Sequence, residues 1–489
     1  MRFRIWLVPI LALAISCKPN PTQSPPPPSA VPSTGAPSPI KTTLPTAFPS
    51  RPVSDIAFPK NFVFGTASSD FQTTGGNGKN DWVEKIKNFK PPQVAPGNGT
   101  DFFNRYREDF DLASQLGIQV HRISLEWSRL EPEDGKWDYQ AAAKYREIFL
   151  ALKAHHIEPM ICLNHFVLPE WFSAQGGWEN PQAARRYASY ARFVASTIGK
   201  PVGVQWWLTF NEPQITLKEG YMKGTWPPYK TIQGWPDEAG TQRFIQTSGN
   251  LMDAHRLAYR AIHEALDLPG RKKVMVGFAS APGAFYPKDP DNPLDVIAYN
   301  SYNAIGTLGL DYLVGSDRDF IGLNFYARTL LHMYVNTQYM ISVDKRHPVS
   351  VSWEYPLDTD GDHKRPGDFY PQALYDLIMK FKDTGTPIII TENGISDASD
   401  AYREEWIVIH LAAIHKAIQA GALVMGYMYW SLTDTWEWGG GFSQFGLIAI
   451  DREHGLARSI RPSAWTYRNI IKTKKISKTL LEKHRELLP

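Results

Sequence analysis

The sequence predicts a closed (β/α)8 barrel of the TIM type, built as a single catalytic α/β domain. Three observations carry this expectation. From Phe58 onward, short apolar runs alternate with longer amphipathic stretches, a pattern that implies right-handed parallel crossovers. The alternative, an open doubly wound sheet, calls for a Gly-rich first turn of dinucleotide type, and none is found. The ends of nearly all the runs are polar or aromatic, and in a barrel these ends meet on one face.

In chain order the strand-like runs are 62–67, 120–125, 159–163, 206–210, 274–279, 320–326, 388–391 and 425–430. The helix-like stretches between them are 102–116, 139–155, 181–198, 249–266, 371–382 and 402–420. The seventh run is the most telling. Ile388, Ile389 and Ile390 are β-branched and continuously apolar, as a parallel strand buried on both faces requires. Thr391, Glu392, Asn393 and Gly394 follow at once. A carboxylate there cannot be core filling, because an unpaired buried charge costs several kcal/mol. Glu392 must therefore face a polar cavity or be paired.

The 489 residues are 43% hydrophobic and 21% charged, which is ample for a large core. A net charge of +3, with no basic stripe except 472–478, argues against a nucleic-acid partner. That basic stretch reads as a solvated helical end. The 16 Trp and 22 Tyr suit stacking on sugar faces, as they also suit a large core. Only Cys17 and Cys162 are present, so there is no disulfide framework; Cys162, inside an apolar run, reads as a buried thiol.

The chain begins with Arg2 and Arg4, an apolar segment from Ile5 to Ile15, then Ser16 and Cys17. This is a basic and then apolar leader, too short for a confident membrane span. Small residues before Cys17 resemble a bacterial lipoprotein signal, with ordinary secretion and a retained anchor as the alternatives. The next stretch is rich in Pro, Ser and Thr, including Pro25 to Pro28, and cannot bury enough surface to fold. It reads as a disordered, semi-extended tether. The expected organisation is therefore a signal peptide over 1–17, a linker over 18–54, the barrel over 55–475 and a basic tail over 476–489. The expected location is outside the cytoplasm, tethered to the membrane through a lipid on Cys17.

At the run ends stand Gln72, Arg122, Glu126, Asn164, His165, Asn211, Glu212, Asn324, Tyr326, Glu392, Trp430, Glu437 and Trp438. Two glutamates stand out among them. Arg122 and the Tyr326 hydroxyl can reach Glu392 and would hold it ionised. Glu212, between Asn211 and Pro213, has no evident cationic neighbour, so burial and the charge on Glu392 would keep it protonated. One carboxylate and one carboxylic acid is the pair that glycoside hydrolysis needs. Their separation decides between retention and inversion, and the sequence does not supply it.

These segments resemble glycoside hydrolase family 1, the retaining β-glycosidases on a (β/α)8 barrel. The resemblance runs from Phe58 to about Ile470. It rests on Phe62 to Gly65 with Gln72, on His121 to Ser124 with Trp127 to Arg129, and on Asn164-His165. It continues through Thr209 to Pro213, Ile321 to Tyr326, Thr391 to Gly394, and Trp430 to Asp434 with Glu437-Trp438. The second half looks closest to the archaeal β-glycosidase branch. The resemblance implies Glu212 as acid/base and Glu392 as nucleophile. It further implies Asn211 on the sugar 2-hydroxyl, Arg122 and Tyr326 positioning Glu392, and Asn324 supporting the acid/base side. Gln72, His165, Glu437 and Trp438 would bind the other hydroxyls, with Trp430 as hydrophobic floor. No cofactor and no metal are implied.

The chain departs from the family pattern at three places: Thr74 stands where Glu is usual, Phe166 where Trp is frequent, and Trp438 to Phe445 is short and Gly-rich. These put fine specificity in doubt rather than catalysis. A carboxylate at Glu437 would repel a phosphorylated sugar, which favours a neutral glucosyl or galactosyl residue. The substrate is thus expected to be a small β-glycoside or oligosaccharide, its leaving group meeting 328–369, with Trp353, Glu354 and Tyr355 as candidates. A membrane-tethered transglycosylase acting on a glycolipid or alcohol acceptor is the alternative, and a catalytically dead sugar-binding barrel a remote one. Asp358, Asp360 and Asp362 read as an acidic loop, since no closing Glu completes a calcium loop. Oligomeric state is not legible.

Overall fold

The computed structural model describes residues 3–5, 54–232, 237–267, 269–270, 272–305, 315–335, 349–354 and 366–489. Eight parallel strands close into a barrel in strict chain order. They are β1 (Val63–Ser68), β2 (Val120–Ser124), β3 (Glu158–Cys162), β4 (Trp206–Asn211), β5 (Met275–Ser280), β6 (Ile321–Asn324), β7 (Ile388–Asn393) and β8 (Val424–Trp430). Each falls within two residues of the run that predicts it.

The barrel interior is filled by apolar side chains, among them Ala67, Val120, Met160, Cys162, Leu208, Ala279, Ile389 and Met428. Cys162 is fully buried there. Register breaks fall where the chemistry-bearing residues sit: between Leu208 and Asn211 on β4, and between Ile390 and Glu392 on β7. Such irregularities re-aim side chains at barrel rims. After β7, Gly394 passes so close to β8 that an added Cβ would lie 1.8 Å from the Trp430 carbonyl oxygen. Only glycine permits that approach.

The main helices are α1 (Asp70–Thr74), α2 (Phe102–Gln115), α3 (Tyr139–Ala154), α4 (Ala183–Val194), α5 (Glu238–Leu266), α6 (Pro371–Lys382), α7 (Arg403–Gln419) and α8 (Pro462–Thr473). Helix α5 starts eleven residues before its expected start at 249. Its first turns are polar and show no apolar period, but the Asp237 carboxylate caps the Gly240 amide. Helix α4 passes into a π turn, Ala195–Gly199, rather than running straight to 198.

The basic C-terminal segment 476–489 carries a short helix, Lys478–Lys483, and packs by its apolar side. Lys475–Ile476 pairs with Ile56–Ala57, and Ile476, Leu481 and His484 are buried. The basic residues face water while the apolar ones pack, as an amphipathic end should.

The chain also divides into two compact units rather than one. The described residues of the smaller are 3–5, 285–305, 329–335 and 349–354. In it Phe285–Pro287 runs parallel to Thr329–Leu331, and Thr329–Val335 pairs antiparallel with Val349–Glu354, to which Phe3–Ile5 adds. Helix Pro293–Ile305 contributes Ala298 to an apolar cluster with Phe285, Leu331 and Met333. The fully buried Asp295 carboxylate accepts from the Met333 and Asp289 amides at 2.9 and 3.0 Å. A cluster and strand pairing of its own make this unit more than the long loop expected for 328–369. The larger unit holds the barrel. Cys17, the 6–53 stretch, Tyr355 and the Asp358 to Asp362 run lie outside the described residues, and no helix among those described is long and apolar enough to cross a membrane.

Candidate active site

Glu392 ends β7 almost completely buried, at 4% exposure. Its two oxygens are held from opposite sides. The Arg122 guanidinium, itself fully buried on β2, donates from Nη2 to Oε1. The Tyr326 hydroxyl donates to Oε2 at 2.7 Å. Burial, and then the Glu392 charge, push the Tyr326 phenol far above its ordinary range, so it remains a donor.

Glu212 follows β4 in a left-handed conformation, φ +44°, with Pro213 next. A non-glycine residue there costs on the order of 1 kcal/mol. Its amide donates to Ala279 O at 2.8 Å on β5, which fixes the turn. Its Oε1 accepts from Asn324 Nδ2 at 2.8 Å. Burial pushes the Glu212 carboxyl up to about 8, and the Glu392 charge adds to the shift; the Asn324 hydrogen bond, Arg122 and Lys218 oppose it. Glu212 is therefore held as an acid at neutral pH, whereas Glu392 is paired with a cation.

Asn211 and Asn324 link them. Asn211 Oδ1 accepts from Arg122 Nη1 at 3.2 Å and from Asn324 Nδ2 at 3.1 Å. Asn324 Oδ1 in turn accepts from the Thr391 hydroxyl at 2.7 Å, which fixes its amide orientation. With its oxygen committed, Asn211 presents Nδ2 to His165 Nε2 at 3.1 Å. His165 Nε2 must then be the acceptor, which leaves the proton on Nδ1. That Nδ1 is buried with no partner among the described side chains. Burial, with Arg122 adding, keeps the imidazole well below its ordinary pKa and so neutral.

The His165 ring stacks between Trp430 at 5.9 Å and Trp438 at 5.8 Å. Glu437 Oε1 accepts from Trp430 Nε1 at 3.3 Å and from Thr435 Oγ1 at 3.0 Å. Gln72 on α1 is fully buried, accepting from Ser69 Oγ and donating to Trp436 O, both at 2.7 Å. Burial is the main force pushing the Glu437 carboxyl up to about 8, which holds it largely as an acid at neutral pH.

Every residue singled out for catalysis, support or sugar binding is thus in one connected set. Glu126, counted among the strand ends, is not. Its carboxylate turns to Asn80 at 2.9 Å, Ser128 at 2.6 Å and Arg129 at 3.2 Å. Sequence reasoning missed Thr391, Ser69, Thr435 and Trp436, whose roles depend on partners remote along the chain. Among the described residues, no group of three or more His, Cys, Asp or Glu is gathered to hold a metal ion.

Residues 54–308 and 310–476 match the family model for glycosyl hydrolase family 1. The chain belongs to that family. It is 27% identical to a β-galactosidase of Pyrococcus woesei, over 81% of this chain and 93% of that one. It is 29% identical to a galactolipid galactosyltransferase of Arabidopsis thaliana, over 77% of this chain but only 58% of the relative. The solved β-glycosidase of Pyrococcus horikoshii is 31% identical, covers 89% of this chain and 99% of its own, and superposes with a TM-score of 0.76. This family 1 protein is a β-glycosidase, and the archaeal likeness read in its second half is borne out among these relatives.

Proposed function

We propose that this family 1 enzyme removes terminal, non-reducing β-linked glucosyl or galactosyl residues by a retaining double displacement, with Glu392 as nucleophile and Glu212 as acid/base. The observation that carries the reading is the contrast in surroundings of the two carboxyls. Glu392 is clamped by a cation and a phenol. Glu212 is pushed up to about 8.

In the first step the Glu212 proton passes to the glycosidic oxygen as the C1–O bond breaks, and a Glu392 oxygen bonds to C1. The leaving alcohol departs neutral. In the second step Glu212, now a carboxylate, takes a proton from water, and the water oxygen attacks C1. The ester bond to Glu392 breaks and its charge returns. Two inversions give net retention. Asn324 supports a short separation, since it faces Glu392 across the β6–β7 ladder while bonding Glu212. Retention needs the carboxyls roughly 5 Å apart, against roughly 6.5–9.5 Å for inversion.

The remaining roles are those the family resemblance implies, and the geometry supports them. Asn211 would hold the 2-hydroxyl while Arg122 and Tyr326 orient Glu392. The His165 Nδ1–H, Gln72, Glu437 and Trp438 would take other hydroxyls, over the Trp430 ring. A protonated Glu437 can donate one hydrogen bond to the sugar and accept another. The test is the anomeric configuration of the first-formed sugar, followed by proton NMR on a nitrophenyl β-glycoside. The β-anomer supports the proposal; the α-anomer would overturn it.

A second reading is transfer to an alcohol acceptor, favoured by likeness to a plant protein named as a galactosyltransferase. Acceptor alcohols added to a nitrophenyl glycoside panel would separate transfer from hydrolysis, and glucosyl from galactosyl preference. We also propose export with lipidation at Cys17, on the strength of the basic and apolar leader and the proline-rich tether. A mature chain starting there would lack the Phe3–Ile5 strand. Mass spectrometry of the mature N-terminus tests it: an acylated Cys17 is expected, and an unmodified chain beginning elsewhere would refute it.

A further inference from the structure

Glu437 and Trp438 sit on a short hairpin, Thr435–Glu437 paired with Gly441–Ser443. Strand alternation puts Thr435 and Glu437 on one face and Trp436 on the other. Thr435 and Glu437 do share a face, since the threonine hydroxyl bonds the carboxyl. Trp436 points behind, fully buried. Its ring meets Phe71 at 5.8 Å, Trp82 at 6.2 Å and Trp438 at 5.6 Å, all edge-on. Its carbonyl accepts from Gln72. One residue thus touches Gln72 and Trp438 and is bonded in sequence to Glu437.

Trp436 is itself held from outside. Its indole N–H donates to Val94 O at 2.7 Å. The Val94 amide donates to Gly440 O at 2.5 Å, and Gln93 Nε2 donates to Gly439 O at 3.3 Å. Val94 is 52% exposed, yet both of its backbone groups bond into the hairpin. The fit depends on Gly440, which has φ +87° and where a Cβ would lie 2.9 Å from Gln93 Cβ. The Gly-rich tip is therefore shaped to receive this strap.

We propose that Trp436 is a positioning residue for sugar recognition: from behind, it sets the spacing of Gln72, Glu437 and Trp438, and the Gln93–Val94 strap sets Trp436. The proposal rests on the reading of those three residues as sugar ligands. It concerns which sugar is chosen, not the chemistry at C1, because nothing in this arrangement touches Glu212 or Glu392.

The experiment compares kcat/KM for nitrophenyl β-glucoside and β-galactoside, which differ only at C4. Trp436→Phe keeps a ring but removes the indole N–H. Gly440→Ala displaces the strap and leaves Trp436 intact. Both should shrink the ratio between the two sugars about five- to tenfold, the worth of roughly one hydrogen bond, with the pH profile unchanged. Equal losses on both sugars, with the ratio kept, would overturn the proposal. Glu437→Gln is the reference. If it too leaves the ratio unchanged, the sugar-ligand reading fails and this proposal with it. If it collapses the ratio while the other two variants do not, only the role of Trp436 fails. Should Trp436→Phe not fold, Gly440→Ala, which leaves every side chain of the site in place, decides alone.

Discussion

The Tyr326 phenol oxygen stands 2.7 Å from Glu392 Oε2, across the carboxylate from the Arg122 contact on Oε1. The carboxylate is thereby held in one plane, with the phenol as a neutral donor. Tyr326→Phe removes that donor alone. A hydrogen bond to a charged group is worth about 1.5–3 kcal/mol, so kcat should fall about 10- to 100-fold while the fold is kept. Steady-state kinetics with a circular-dichroism control checks this. An unchanged kcat would show that Arg122 suffices to orient Glu392.

Arg122 carries a larger load. It is fully buried and also bonds Asn211 Oδ1 and, at 3.4 Å, Thr391 O. Arg122→Met strands Glu392 as an unpaired buried charge, a change that costs about 3–5 kcal/mol. Lysine should rescue little, because a point charge cannot reproduce the fork. Urea unfolding at neutral pH measures it. A loss below about 1 kcal/mol, as for an exposed pair, would contradict the burial argument.

Glu212 sets the alkaline side. With its carboxyl pushed up to about 8, the proton needed for leaving-group departure is lost as pH rises through that value, and kcat/KM should fall with it. Glu212→Ala should lose its share of this limb, leaving only what the Glu437 carboxyl, also near 8, contributes, and added azide should restore turnover as a β-glycosyl azide. Esterifying Glu392 with a 2-fluoro sugar removes one of the two forces raising Glu212. Its pKa should then drop, but only in part, because burial is the larger cause. Carbon-13 NMR titration of labelled glutamate reads this directly. A pKa that does not move would mean the Glu392 charge does not reach it. Stability follows the same sign. The native state keeps a proton that the unfolded chain releases above about 4.5, so this group lowers stability as pH rises from about 4.5 to about 8.

How much of this was readable from the chain depends on where the partners lie. The strands were legible because a buried parallel strand must be apolar throughout, as Ile388 to Ile390 are. The two glutamates were legible because each closes such a run. The first turns of α5 were not, since Asp237 capping rather than apolar period starts that helix. Nor was the smaller unit, whose cluster joins Phe285 to Leu331 and Met333 across an intervening stretch of barrel. Trp436 looked like one more aromatic. Its meaning lies in a contact with Val94, 342 residues away in the chain. Thr391 is similar: nothing local says that its hydroxyl orients Asn324.

At the other end of the strands His263, in the final turn of α5, lies between two carboxylates. Nδ1 is 2.7 Å from Asp267 Oδ2 and Nε2 is 2.9 Å from Asp319 Oδ2. Both ring nitrogens face acceptors, so only the imidazolium satisfies both. Tyr259 OH also bonds Asp319 at 3.1 Å, and Lys273 approaches it at 3.9 Å. The same carboxylates accept the Val276 and Val274 amides, which ties the end of α5 to the start of β5. Burial works against charging His263, but its bonds to Asp319 and Asp267 outweigh it, and its pKa is raised from 6.5. A raised histidine pKa contributes stability that is fully present below about 6.5 and is lost as pH climbs through the folded value. His263→Asn should therefore destabilise on the order of 1 kcal/mol at pH 6 and clearly less at pH 8.5, with kcat unchanged. Urea unfolding of both proteins at the two pH values decides it. An equal loss at both would mean that the ring acts there as packing alone, since only its charge changes between them.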